Sequence, residues 1–167
     1  KVDVVDPYGW WEQPAGGAAS GVWTYHPEAF GKWTGHASPG GGEMGVYDVN
    51  GDGLGDIITS LAAHGFGLAW YEQVRAGGAI TFREHVFMNK TPEENAHGVK
   101  FSEVHAIDLV DMDGDGLKDI VTGKRFWSHG RTGDPDRNDA AVIYWFKLVR
   151  LSGGRVDFVP HLVDNDS

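Results

Sequence analysis

Short apolar runs rich in β-branched and aromatic residues alternate with clusters of Gly, Asp and Asn along the chain, which is the pattern of strands joined by turns. One order of runs occurs twice. An apolar strand (MGVY from Met44, AIDLV from Ala106) leads into an acid-rich loop, and a β-branched strand follows it (DIITSL from Asp56, DIVTG from Asp119). An aromatic strand comes next (LAWYEQV from Leu68, VIYWFKLV from Val142), then a strand ending in aromatic-x-x-His (FREH from Phe82, FVPH from Phe158). The N-terminus repeats the order without its first strand: VDVVD from Val2, GWWEQ from Gly9 and WTYH from Trp23. Trp10, Trp70 and Trp145 thus share one register, and His26, His85 and His161 share another.

About 63 residues separate Asp48 from Asp111, long for a solenoid repeat but suited to a four-stranded unit with one expanded loop. Four-stranded units punctuated by 25 Gly predict an all-β chain of propeller blades. The expected division is an incomplete first blade over 1–35, a second over 36–90 and a third over 91–167. About two and three-quarter blades do not close a ring of the usual four to eight. The remaining blades are expected from the same longer chain or from other copies.

The repeated loop carries the clearest chemistry. DVNGDGLGD runs from Asp48 to Asp56 and DMDGDGLKD from Asp111 to Asp119. Oxygen-bearing side chains fall at positions one, three, five and nine: Asp48, Asn50, Asp52 and Asp56, then Asp111, Asp113, Asp115 and Asp119. Alternate residues of a tight loop can point into one concavity, and carbonyls of Leu54 or Leu117 at position seven would complete an oxygen cage for Ca²⁺. An EF-hand shares the opening, but it needs a bidentate Glu at position twelve and flanking helices. Position twelve here is Thr59 or Thr122, inside a β-branched run, so that reading fails. Two solvated Asp/Gly turns without metal are the alternative. They leave several carboxylates within a few ångströms of one another, which is unfavourable without a cation. Two calcium sites are therefore expected, the second with four carboxylates and the tighter binding. Asp3 would take position nine of a further loop whose earlier ligands precede Lys1.

Charge agrees with this assignment. Asp and Glu number 24 against 14 Lys and Arg, a formal net charge of -10, with no basic stripe of the kind that nucleic acid requires. Cys is absent, which excludes zinc ribbons, thiol catalysis and disulfide frameworks. No run approaches the roughly 18 apolar residues of a membrane span. Weak calcium sites fill at the millimolar concentrations found outside cells. An extracellular, periplasmic or cell-surface location is expected.

D-x-[DN]-G-D-G-x-x-D followed by an apolar strand resembles the FG-GAP/VCBS repeat family, the calcium-bearing propeller blades of integrin α-chains and of many exported bacterial proteins. The resemblance is specific at Asp48 to Asp56 and Asp111 to Asp119. Gly65, Phe66 and Gly67 only echo the FG-GAP tetrapeptide, which points to the bacterial branch. Membership would imply the fold and the metal but not the activity.

In a four-stranded blade the calcium loops lie on one rim, and the second-to-third-strand loops and inter-blade connections lie on the other. The opposite rim is expected to receive His64 and His129 from within blades, and His36, His97 and His105 from the connections. Tyr8 holds the equivalent place in the first loop, and Lys124, Arg125 and Trp127 precede His129. His26, His85 and His161 recur with the blade and read as structural. The recurring tryptophans read as inter-blade packing, whereas Trp33 and Trp127 lie outside the repeat and can stack on a sugar.

Two classes of function follow. One is a calcium-stabilised module binding a glycan or a protein at that rim, through His36, His97, His105, Trp127, Trp33 and Lys124. The other is an enzyme acting on sugars, similar to propeller polysaccharide lyases and fungal aldosulose dehydratases. In it Arg125 would neutralise a carboxylate, His64 or His129 would take a proton and Tyr8 would protonate the leaving oxygen. A transition metal bound by histidines would replace Arg125 as electrophile.

Overall fold

The computed structural model of the 167-residue chain describes residues 2–32 and 39–166. Eleven strands form three antiparallel sheets, none of them closed. The first contains β1 (Val4–Asp6), β2 (Gly9–Glu12) and β3 (Thr24–Pro27). The second contains β4 (Gly45–Tyr47), β5 (Asp56–Ser60), β6 (Leu68–Ala76) and β7 (Ala79–Met88). The third contains β8 (Ile107–Val110), β9 (Asp119–Lys124), β10 (Val142–Arg150) and β11 (Val156–Asp164). Within each sheet the strands lie side by side in chain order. Among the described residues no helix is long and apolar enough to cross a membrane.

Period-two alternation explains how the sheets pack. On β5, Ile57 joins a core with Trp10 and Phe30 of the first sheet and its following segment, while its neighbour Ile58 joins a core with Ile120, Phe146 and Phe158 of the third. On β6, Ala69 and Tyr71 turn to the first core, and Leu68 and Trp70 to the second. The second sheet is therefore covered on both faces, and every residue of β5 is buried. A β-branched run without polar alternation is the sequence form of such a strand.

The Trp and His registers meet. Trp10 opposes His26, Trp70 opposes His85 and Trp145 opposes His161. Each pair is stacked, with ring centroids 4.0, 4.3 and 4.3 Å apart. Such pairing across neighbouring strands is the side-chain unit that stabilises a sheet. Trp10 and Trp70 are buried, whereas Trp145 is half-exposed on a face that also presents Ile143 and Val163. β6 and β7 extend further than their apolar cores predict because Gly77 and Gly78, both at positive φ, close a two-residue hairpin.

Candidate functional site

The two acid-rich loops are built by the same hydrogen bonds. Asp48 Oδ1 accepts from the Gly51 and Asp52 amides, and its Oδ2 from Gly53. Asp111 accepts in the same way from Gly114, Asp115 and Gly116. Position three then accepts from the amide at position five, at 3.0 Å for Asn50 and 3.2 Å for Asp113. Position five accepts from the amide at position seven, Leu54 or Leu117. Gly51 and Gly114 supply the positive φ that this winding needs. Asp111, Asp113 and Asp115 each bring a carboxylate oxygen within 4.8 Å of the others.

Position nine does something different. Asp56 and Asp119 have no exposed surface, and both oxygens of each accept backbone amides: Val49 and Gln73 for Asp56, Met112 and Leu148 for Asp119. Each carboxylate ties its loop to the third strand of its sheet. Asp3, which is exposed, makes one bond of this kind in the first sheet, accepting at 2.8 Å from the amide of Gln13, the residue after β2. Burial is the main cause raising the Asp56 carboxyl above the ordinary carboxylate value, and Asp52 and Asp48 add to it; the two backbone amides oppose the rise. Asp119 lies outside the Asp111, Asp113 and Asp115 grouping.

Two cations from the third sheet reach these loops. Lys147 pairs with Asp113 and, at 3.1 Å, with Asp115, at the register where the other sheets carry Glu12 and Glu72. The Leu117 amide and the Lys147 ammonium hold Asp115 below the usual carboxylate range. Arg150 donates to the carbonyls of Asp48 and Val49, so the third sheet clasps the loop of the second.

At the opposite ends of the sheets three histidines converge. His64 comes from the β5–β6 connection, His105 from the segment before β8 and His129 from the β9–β10 loop. One ring nitrogen of each lies within 4.8 Å of the others. The His64 ring centroid lies 4.7 Å from that of His105 and 4.4 Å from that of His129. Asp134 Oδ2 meets His64 Nδ1 at 2.8 Å and lies 3.7 Å from His129 Nε2. Burial is the largest cause lowering the His105 pKa below the ordinary histidine value; His64 and His129 lower it further, and Glu103 and Asp134 oppose them.

The surroundings are under strain. The non-glycine residues with positive φ among the described residues are Glu103, Trp127, His129 and Asp136, all in segments bordering this cluster. Each costs of order 1–3 kcal/mol. Glu103 is buried, and among the described residues neither of its carboxylate oxygens has a hydrogen-bond partner; Arg125 Nε lies 4.0 Å away. Ser60 Oγ and Arg137 Nε are also buried without partners.

Other residues of the expected rim go elsewhere. His97 Nε2 pairs with Asp157 of β11 at 2.9 Å, away from the three histidines. The Lys124 side chain is 1% exposed, and its ammonium bonds the Asp136 and Asp139 carbonyls, so it holds the long loop in place. Arg125 bonds Ser128 Oγ. Trp127 and Tyr8 are exposed. Trp33 and His36 lie outside the described residues. Asp134, Arg137 and Lys147 were not singled out in the sequence. The segment Arg131 to Asp139 (RTGDPDRND), which lengthens the β9–β10 loop and contains the first two, could have pointed to them, and the place of Lys147 in the Glu12 and Glu72 register to the third.

The chain matches no family model, no curated protein and no solved structure.

Proposed function

We propose that the chain is a calcium-stapled segment of a β-propeller that holds a divalent transition metal on His64, His105 and His129 and uses it in elimination chemistry on a sugar. The observation that carries this reading is the convergence of three imidazoles from three separate connections, one of them oriented by a carboxylate. Three imidazoles with a carboxylate that meets two of them are a donor set suited to zinc or a neighbouring divalent ion. A hard ion such as calcium prefers the oxygen loops at the other end.

When bound, such an ion supplies a Lewis acid that polarises a carbonyl or carboxylate oxygen. Asp134 fixes the His64 ring through its bond to Nδ1. Elimination passes a carbon-bound proton to a base, forms a C=C bond and releases the β-oxygen as water or an alcohol once that oxygen has taken a proton. The second reading is a binding module without chemistry. Phe126 and Trp127, exposed on the same loop, favour it, because they offer a stacking surface to a glycan or a protein.

Matching hydrogen-bond patterns support one Ca²⁺ in each acid-rich loop, and an exported location follows from such sites. The stacked Trp–His register and the covering of the second sheet on both faces support blades. The half-exposed face of Trp145, Ile143 and Val163 is where a further blade would pack. Lys147 changes the expected order of affinity: its ammonium competes for Asp113 and Asp115, so the second loop loses the advantage of its fourth carboxylate.

Cobalt(II) titration in saturating calcium tests the centre. One Co²⁺ per chain with visible ligand-field bands, weakened in His64→Ala, His105→Ala and His129→Ala alike, is the expected result. Binding that none of the three changes would rule the centre out.

A further inference from the structure

The cleft beside the histidines is basic in an acidic protein. It encloses about 830 Å³ and is lined by Lys32, Lys90 and Arg137 as well as His64 and His129. Its acids are engaged: Asp134 with the two histidines, and Glu94 with the Asn89 amide at 2.8 Å. Lys32 is paired with Glu84 at 3.0 Å. Two cations remain. Lys90 Nζ rests 4.8 Å from the centre of the Phe66 ring, and among the described residues no ion pair involves it. Arg137 lines the cleft, its Nε is buried, and among the described residues neither a hydrogen-bond partner for Nε nor an ion pair of its guanidinium is found. In the groove between the second and third sheets, by contrast, Arg83 is bound to Glu72 and His97 to Asp157.

A guanidinium that lines a cleft without an ion-pair partner presents a planar fork that fits a carboxylate through two parallel hydrogen bonds. We infer that the ligand of this cleft carries a carboxylate, which Arg137 receives with help from Lys90, and that a sugar acid rather than a neutral sugar is the substrate class. This rests on the proposed metal centre for its chemistry but not for its binding. The two orient one ligand: the guanidinium takes the charged end, and the imidazole end receives the part to be polarised.

Calorimetry on the calcium-saturated, Co²⁺-loaded chain tests it with D-glucuronate, D-glucose and inorganic phosphate. Glucuronate is expected to bind at least tenfold more tightly than glucose. Its affinity should fall with added salt and drop about tenfold in Arg137→Gln, with an intermediate value in Arg137→Lys, where charge is kept and the fork is lost. Co²⁺ affinity should be the same in both variants, which shows that the fold persists. Equal affinity for glucuronate and glucose, or no effect of Arg137→Gln, would overturn the subsite. Phosphate binding as tightly as glucuronate would overturn the carboxylate assignment. Loss of Co²⁺ binding with glucuronate selectivity intact would overturn the metal centre and leave the subsite standing.

Discussion

Asp119 and Asp115 sit four residues apart in one loop, yet the structure gives them separable roles. Asp119→Ala removes the acceptor for two backbone amides, Met112 and Leu148, at a position with no exposed surface. A buried amide left without a partner costs about 1–3 kcal/mol, so the pair costs about 2–6 kcal/mol whether or not metal is present. With a urea slope of about 2 kcal/mol per molar, the unfolding midpoint falls by about 1–3 M. Asp115→Ala removes an exposed carboxylate that accepts one amide, from Leu117, which water can satisfy instead. In chelator its midpoint should coincide with that of the parent chain. In calcium the order of loss changes: the parent gains stability, and Asp115→Ala does not gain the increment due to the second loop. Tryptophan fluorescence during urea unfolding, in chelator and in calcium, reads both effects. If Asp115→Ala lost as much as Asp119→Ala in chelator, the division between anchor and ligand would be wrong.

Trp70→Ala should cost about 3–5 kcal/mol because the ring is buried between sheets. Trp145→Ala should cost markedly less, since its face is half-exposed, and paired thermal melts compare the two. Lys147→Met should tighten calcium binding at the second loop, measured by competition with a chromophoric chelator; unchanged affinity would show that the ammonium does not compete. The Tyr71 pKa is raised above the ordinary tyrosine value, chiefly by burial and then by Glu84. The unfolded chain therefore gives up this proton at a lower pH than the folded chain, and stability falls as pH rises above about 10. An ultraviolet titration should show a tyrosine that ionises above the ordinary tyrosine range, and this step should vanish in Tyr71→Phe.

The strand plan was legible because each element announces itself locally. β-branched runs mark β5 and β9, and the Trp and His registers give the pairing of the third and fourth strands. The repeat gives Asp3 its position, as a ligand of a loop before Lys1, but not the hydrogen bond it makes to Gln13 ten residues on. The histidine centre was legible only in part. Strand polarity places His64 and His129 at the ends away from the acid-rich loops, but no local pattern separates His105, which joins them, from His97, which turns to Asp157. That choice depends on contacts across 60 to 70 residues, as between His97 and Asp157 or His64 and Asp134. Lys124 shows the same limit. A lysine beside an arginine at a loop entrance reads as a ligand group, yet its ammonium is consumed by carbonyls of the loop it precedes.

Metal content addresses the account most directly. Elemental mass spectrometry is performed on the chain purified without added metal and then equilibrated with calcium and a trace of zinc. The account predicts about two calcium ions and one zinc per chain, with the zinc lost in His105→Ala and the calcium retained. Calcium without zinc would contradict the histidine centre, and zinc that persists in His105→Ala would place it elsewhere.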